Sequence, residues 1–151
     1  MKYTDLYFED FTVGTAFETD ACTVSAADII RFGKEFAPLP YHTDPVAAKD
    51  YMFGDLVAAG FHTCSISFGL FIESGVFSAC AMGSPGVDRL RWKKVVKAGD
   101  TLRVTATVLE ASPARDAKGR NLIKLQFVTT NEDGDEVLEM HTLHFVSARP
   151  A

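Results

Sequence analysis

The feature that most limits the fold of this chain is a change of periodicity near residue 86. From residue 25 to 80 the apolar residues recur at helical spacing, and beyond residue 86 they alternate with polar ones. Helices first and strands after define an α+β chain, its helices set against a mostly antiparallel sheet. Ser25 is the expected first N-cap, with Asp28 at the capping-box position. Ile29, Phe32, Gly33 and Phe36 follow at i, i+3, i+4 and i+7, one face of a short helix that Pro38 ends. Asp44 is the next expected N-cap, with Pro45 at the first helical position, and this second helix stops near Tyr51 to Gly54.

Gly60 precedes the longest helical stretch, expected over roughly residues 61–79. Phe61, Cys64, Phe68, Phe71, Ile72 and Val76 form one stripe, while Ile66, Leu70 and Phe77 lie on other faces. A helix apolar nearly all round is expected to be buried on most sides, as it is when a sheet wraps around it. Residues 8–24 read as an opening extended segment with a turn at Gly14. After Gly83-Ser84-Pro85-Gly86, Leu90 and Trp92 alternate with Arg89, Arg91 and Lys93. Gly99-Asp100 makes a turn, and Leu102, Val104, Ala106 and Val108 then share one strand face. A polar loop spans residues 112–120; Ile123, Leu125 and Phe127 mark the next strand, Asp133-Gly134 a hairpin turn, and residues 137–147 the last strand.

Size and charge set the outer bounds. The 151 residues fit one compact domain, residues 1–151, and the 47% hydrophobic content supplies its core. Three widely spaced cysteines, Cys22, Cys64 and Cys80, argue against a disulfide framework and for a reducing, cytoplasmic setting. No C-x-x-C exists, so a zinc knuckle is not expected. The first ten residues have neither a basic nor an apolar leader pattern, and residues 56–83 are too mixed for a membrane span. A net charge of −5 disfavours nucleic-acid binding.

Chemistry concentrates in two stretches. Phe36 to Ala48 places His42 in a Pro-rich turn, and Val57-Ala58-Ala59-Gly60-Phe61-His62-Thr63 opens the long helix. Histidine exchanges protons near neutral pH. A helix N-terminus offers unpaired N–H groups able to stabilise an enolate oxygen, and glycine at position 60 allows close approach to the backbone. The simpler reading of the same residues makes His42 a surface or capping residue, Asp44 a helix cap and Gly60 a packing glycine.

The pattern from Phe32 through Pro40-Tyr41-His42-Thr43-Asp44-Pro45, Phe53-Gly54 and Val57 to Thr63, then Leu90-Arg91-Trp92 and Gly99-Asp100-Thr101-Leu102, resembles the MaoC-like (R)-specific enoyl-CoA hydratases of the hot-dog superfamily. The resemblance covers nearly the whole chain. It implies one antiparallel sheet wrapped around a central helix, a dimer with sheets joined edge to edge, and coenzyme A thioesters as substrates with no further cofactor. It makes His42 the catalytic histidine and the Gly60 N–H the donor to the thioester oxygen. Ala37, Tyr41, Ala59, Phe61, His62 and Arg91 are expected to line the substrate site. The family carries an Asp five positions before the histidine, and that position here is Ala37. Glu35, Asp44 and Asp55 lie nearby in sequence as possible replacements. The expected activity is hydration of a trans-2-enoyl-CoA or dehydration of an (R)-3-hydroxyacyl-CoA. The alternatives are a hot-dog thioesterase, with Glu73 as a candidate acid, and a non-catalytic acyl-CoA-binding subunit.

Other patterns read more simply. His62 and Ser65 fit as polar residues satisfied within a buried helix, and Cys64 and His62, two apart, point away from each other. His141 and His144 fall on opposite strand faces, so no metal pair is expected. Asn131 to Glu136 lacks calcium-loop spacing and reads as a hairpin turn. Arg89, Arg91, Lys93, Lys94 and Lys97 read as a solvated sheet face or as an attractor for coenzyme A phosphates.

Overall fold

A computed structural model describes residues 1–151. Six antiparallel strands form the sheet: β1 (Ala16–Glu18), β2 (Cys22–Thr23), β3 (Gly86–Trp92), β4 (Thr101–Ser112), β5 (Asn121–Thr130) and β6 (Glu136–Val146). Their spatial order is β1-β4-β5-β6-β3, with β2 also paired to β4. Three long strands, β4, β5 and β6, form the middle, and the two hairpin connections match the expected loop and the turn at Gly134. Alternation decides which face is covered: Leu102, Val104, Ala106 and Val108 of β4, with Ile123, Leu125 and Phe127 of β5, are all buried against the helical layer.

The helical layer comprises α1 (Ala26–Phe36), the single-turn α2 (Pro40–Thr43) and α3 (Gly60–Glu73). Ser25 caps α1 as expected, its hydroxyl accepting the Asp28 N–H at 3.1 Å. The segment holding His42 is α2, a helical turn rather than an irregular one. Asp44 does act as a cap, its carboxylate accepting the Val46 and Ala47 N–H groups at 2.9 and 3.1 Å, and the helix it leads into is a short 3₁₀ turn, Ala47–Asp50.

Two expectations for α3 are corrected. The helix ends at Glu73, not near residue 79, because Gly75 takes a left-handed φ of +91° and its N–H turns back to the Ile72 carbonyl. The Ser74 carbonyl is then capped by the N–H groups of Lys2 and Tyr3. The buried face also differs from the apolar stripe. His62, Thr63, Ser67, Leu70 and Phe71 are buried, whereas Phe61, Phe68 and Ile72 are exposed. Small side chains allow the sheet to close on the helix. The Ser67 hydroxyl donates to the Thr63 carbonyl at 2.8 Å and lies 2.7 Å from the Thr129 hydroxyl of β5, so these two buried hydroxyls are satisfied. Phe71 is the centre of the core, edge-on to both Phe77 and Phe127 at 4.9 Å. On α1, Ile29 and Gly33 are buried, Phe32 is half-buried and Phe36 lies at the exposed end.

Candidate active site

His42 sits where α2 meets the strand-like segment before α3. The Val57 N–H donates to the Tyr41 carbonyl at 2.9 Å, and the Val57 carbonyl lies 2.7 Å from His42 Nδ1. A carbonyl only accepts, so Nδ1 carries the ring proton and neutral His42 keeps its lone pair on Nε2. The imidazole is buried, with the Tyr41 ring edge-on at 4.5 Å. Gly33 explains how α1 comes so close behind it. A Cβ at Gly33 would lie 2.5 Å from the His42 carbonyl oxygen and 3.0 Å from the His42 Cβ.

His42 lines a cavity of about 450 Å³ together with Tyr41, Phe53, Gly60, Phe61 and Trp92. The far wall is the run from Trp92 to Val96, pinned where the Ala58 N–H donates to the Val96 carbonyl at 2.8 Å. The cavity therefore contains both the histidine and the start of α3. Ala59, the N-cap, supplies no side-chain partner, and the N–H groups of Gly60, Phe61 and His62 find no protein acceptor. Glycine at position 60 has a packing cause: a Cβ there would meet the Trp92 indole at 2.5 Å. The close approach expected of a substrate is made on that side by Trp92.

The structure thus brings together His42, Gly60, Tyr41 and Phe61. Ala37 and Ala59 lie instead along a neighbouring groove, with Phe32, Phe36 and Ser65, and Phe61 borders both spaces. His62 lines neither. It stacks flat on Phe32 at 4.6 Å, its Nδ1 buried without a partner, and burial pushes its pKa down, partly offset by Asp28. Arg91 stands on the exposed edge strand β3, outside the cavity, and its guanidinium donates to the Leu90 carbonyl at 2.8 Å. The rest of the basic run is largely neutralised. Arg89 pairs with Glu139, Lys93 with Glu136 and Glu139, Lys94 with Asp135, and Lys97 approaches Asp55 at 3.8 Å.

No replacement acid reaches His42. Glu35 is exposed on α1, Asp44 is occupied as a cap, and Asp55 holds the Leu56 N–H. Glu73 is exposed at the far end of α3. Burial raises the Cys64 thiol above its usual pKa, which suits packing rather than nucleophilic attack. His141 and His144 do fall apart, one half-buried and one buried. Sequence reasoning missed Trp92, Phe53, Gly33 and the Val57 carbonyl as parts of the site. The tryptophan in a short alternating strand and the glycine inside a helical face were the available signals.

A chain with this sheet, this helix and a histidine facing the helix start is a hot-dog protein of the MaoC-like kind. Residues 10–130 match the MaoC like domain family, and the chain belongs to that family. A MaoC-like dehydratase structure from Rhodospirillum rubrum is 34% identical, with a TM-score of 0.88 over 97% of this chain and all of that one. The uncharacterised protein YdeM of Bacillus subtilis (strain 168) is 31% identical over 131 residues, 87% of this chain and 92% of its own. A double hot-dog protein of Mycobacterium tuberculosis shares the fold, with 18% identity and a TM-score of 0.84 over 96% of this chain and 45% of that one. No helix is long and apolar enough to cross a membrane.

Proposed function

We propose that this protein hydrates trans-2-enoyl-CoA thioesters, or dehydrates the corresponding (R)-3-hydroxyacyl-CoA, with His42 as the only proton-transferring side chain. The observation that carries this reading is the Val57 carbonyl on His42 Nδ1, which leaves Nε2 as the atom able to take a proton within the cavity it shares with the start of α3. In the hydration direction Nε2 takes a proton from water and the hydroxyl adds to C3. The electron pair of the double bond moves onto the thioester oxygen as an enolate, which the Gly60 N–H stabilises. Nε2–H then returns its proton to C2. Base and acid are one group in turn, because Ala37 contributes neither.

The assembly in this reading is a homodimer. Strand β3 ends the sheet with one edge unpaired, an arrangement proteins commonly cover. Phe68 and Ile72 of α3 and Val87 of β3 add exposed apolar surface.

The test is loss of enoyl absorbance with crotonyl-CoA for wild type, His42→Ala and Ala37→Asp, with mass in solution measured alongside. Turnover that falls on the order of 10²- to 10⁴-fold in His42→Ala supports the assignment. No wild-type turnover, with activity gained in Ala37→Asp, means a thioester-binding pocket that lacks its acid and overturns a catalytic role for the wild type.

A further inference from the structure

We infer that His62 is a positioning residue for His42: its neutral ring clasps α1 to α3 through Phe32, and α1 in turn backs His42 through Gly33. The clasp itself is a matter of packing, and its consequence for turnover rests on the hydratase reading above. Of the 11 residues of α1, only Ile29 and Gly33 are buried. Ile29 enters the core, Gly33 lies against the His42 backbone, and Phe32, half-buried, meets α3. There its ring lies flat on the His62 imidazole, the centroids 4.6 Å apart and the planes 7° from parallel.

His62 is 5% exposed, and its Nδ1 is buried with no hydrogen-bond partner. A neutral ring is the less costly occupant of such a site, with its proton on Nε2 and a bare lone pair on Nδ1. A protonated ring carries N–H on both nitrogens, one of them buried without an acceptor, and holds a charge beneath α1. The charged groups that act on it, Asp28 and Arg31, both belong to α1 and pull in opposite directions, their own side chains paired at 3.3 Å. Burial is the larger influence and lowers the His62 pKa. Protonation therefore favours release of the ring, and release frees α1, the helix behind His42, from α3.

Hydrogen exchange separates the clasp from catalysis. Protection of the α1 amides, taken relative to those of β5, would be followed from pH 7.5 to 5.0 in three proteins. These are wild type, His62→Ala, which removes the ring, and His62→Phe, which keeps a flat ring that cannot be protonated. Circular dichroism would check each fold, and His62→Leu, which cannot be protonated either, stands in if phenylalanine proves too large. Crotonyl-CoA turnover would be measured at pH 8 in parallel. A freed imidazole titrates near about 6.5, so at pH 5.0 its protonation favours the open state by up to about thirtyfold. The expected result is a relative protection of α1 that falls by about fivefold or more in wild type, is low at every pH in His62→Ala and stays level in His62→Phe. Turnover falls by about tenfold or more in His62→Ala and is restored in His62→Phe. Wild-type protection that is level with pH, or that falls equally in His62→Phe, overturns the clasp. Turnover unchanged in His62→Ala, or lost in His62→Phe while α1 stays protected, overturns the positioning role. No turnover in any of the proteins, with exchange as expected, removes the hydratase reading and keeps the clasp.

Discussion

Gly33→Ala tests whether the placement of His42 depends on contact between α1 and α2. Alanine in place of a helical glycine ordinarily stabilises by about 0.5–1 kcal/mol, since glycine loses more chain entropy on folding. At Gly33 the sign reverses. The new Cβ would lie 2.5 Å from the His42 carbonyl oxygen, where ordinary contact begins near 3.4 Å, so α1 and α2 must part by about 0.9 Å. The obstacle is backbone and cannot rotate aside. Overpacking of this kind costs about 1–3 kcal/mol, which leaves a net loss of up to about 2 kcal/mol after the gain in helix propensity. A shift of about 1 Å in a reacting group costs on the order of 10²-fold in rate. Gly69 in α3 is the control, because a Cβ there meets nothing within 4 Å, so Gly69→Ala keeps the ordinary stabilising sign. Urea unfolding and crotonyl-CoA turnover measure the two effects. Gly33→Ala that is as stable as Gly69→Ala and as active as wild type would refute the reasoning.

Two further predictions concern stability. Burial pushes His144 down to about 4, while the unfolded residue titrates near its ordinary value of about 6.5. From about pH 6.5 down to 4 the unfolded chain therefore binds a proton that the folded chain refuses, and stability falls by about 3 kcal/mol in total as pH drops. Urea midpoints for wild type and His144→Asn between pH 7 and 4 check this, and an unchanged slope in the variant rules it out. Glu139, held at about 2 chiefly by the Lys93 ammonium, adds its own loss only below about pH 4.5. Gly60→Ala is expected to destabilise wild type but not Trp92→Ala, with a coupling of about 1–3 kcal/mol in the double-mutant cycle, and additive effects would place the clash elsewhere.

Most of the sheet was legible in the chain because alternation reports burial directly. Leu102 to Val108 and Ile123 to Phe127 needed only a period of two. The long helix was legible in existence but not in orientation. With apolar residues on every side, hydrophobicity points nowhere, and the face that meets the sheet was chosen by size, through Thr63 and Ser67. Its end was written in Ser74-Gly75, a left-handed stop hidden by the apolar residues that follow. At the site, His42 and Gly60 stood out by residue type and spacing. Ala37, Ala59 and Arg91 were grouped with them by linear pattern, yet the first two line a neighbouring groove and an edge strand carries the third away. Such partitions depend on side chains packed from distant segments, as Trp92 is on Gly60, and no local pattern records them.

The surroundings of His42 also fix the form of its pH dependence. Carboxylates near it in sequence are exposed or engaged in caps, and the nearest cavity lysines, Lys93 and Lys94, are held by Glu136, Glu139 and Asp135. Nδ1–H is committed to the Val57 carbonyl. Nε2 alone must be unprotonated to start hydration, and no second group must be protonated. The expected kcat/KM profile for crotonyl-CoA hydration therefore has one limb, falling toward acid pH, with a plateau on the alkaline side up to the limit of thioester stability. A bell-shaped wild-type profile would reveal a second proton-transferring group and would refute the one-histidine mechanism.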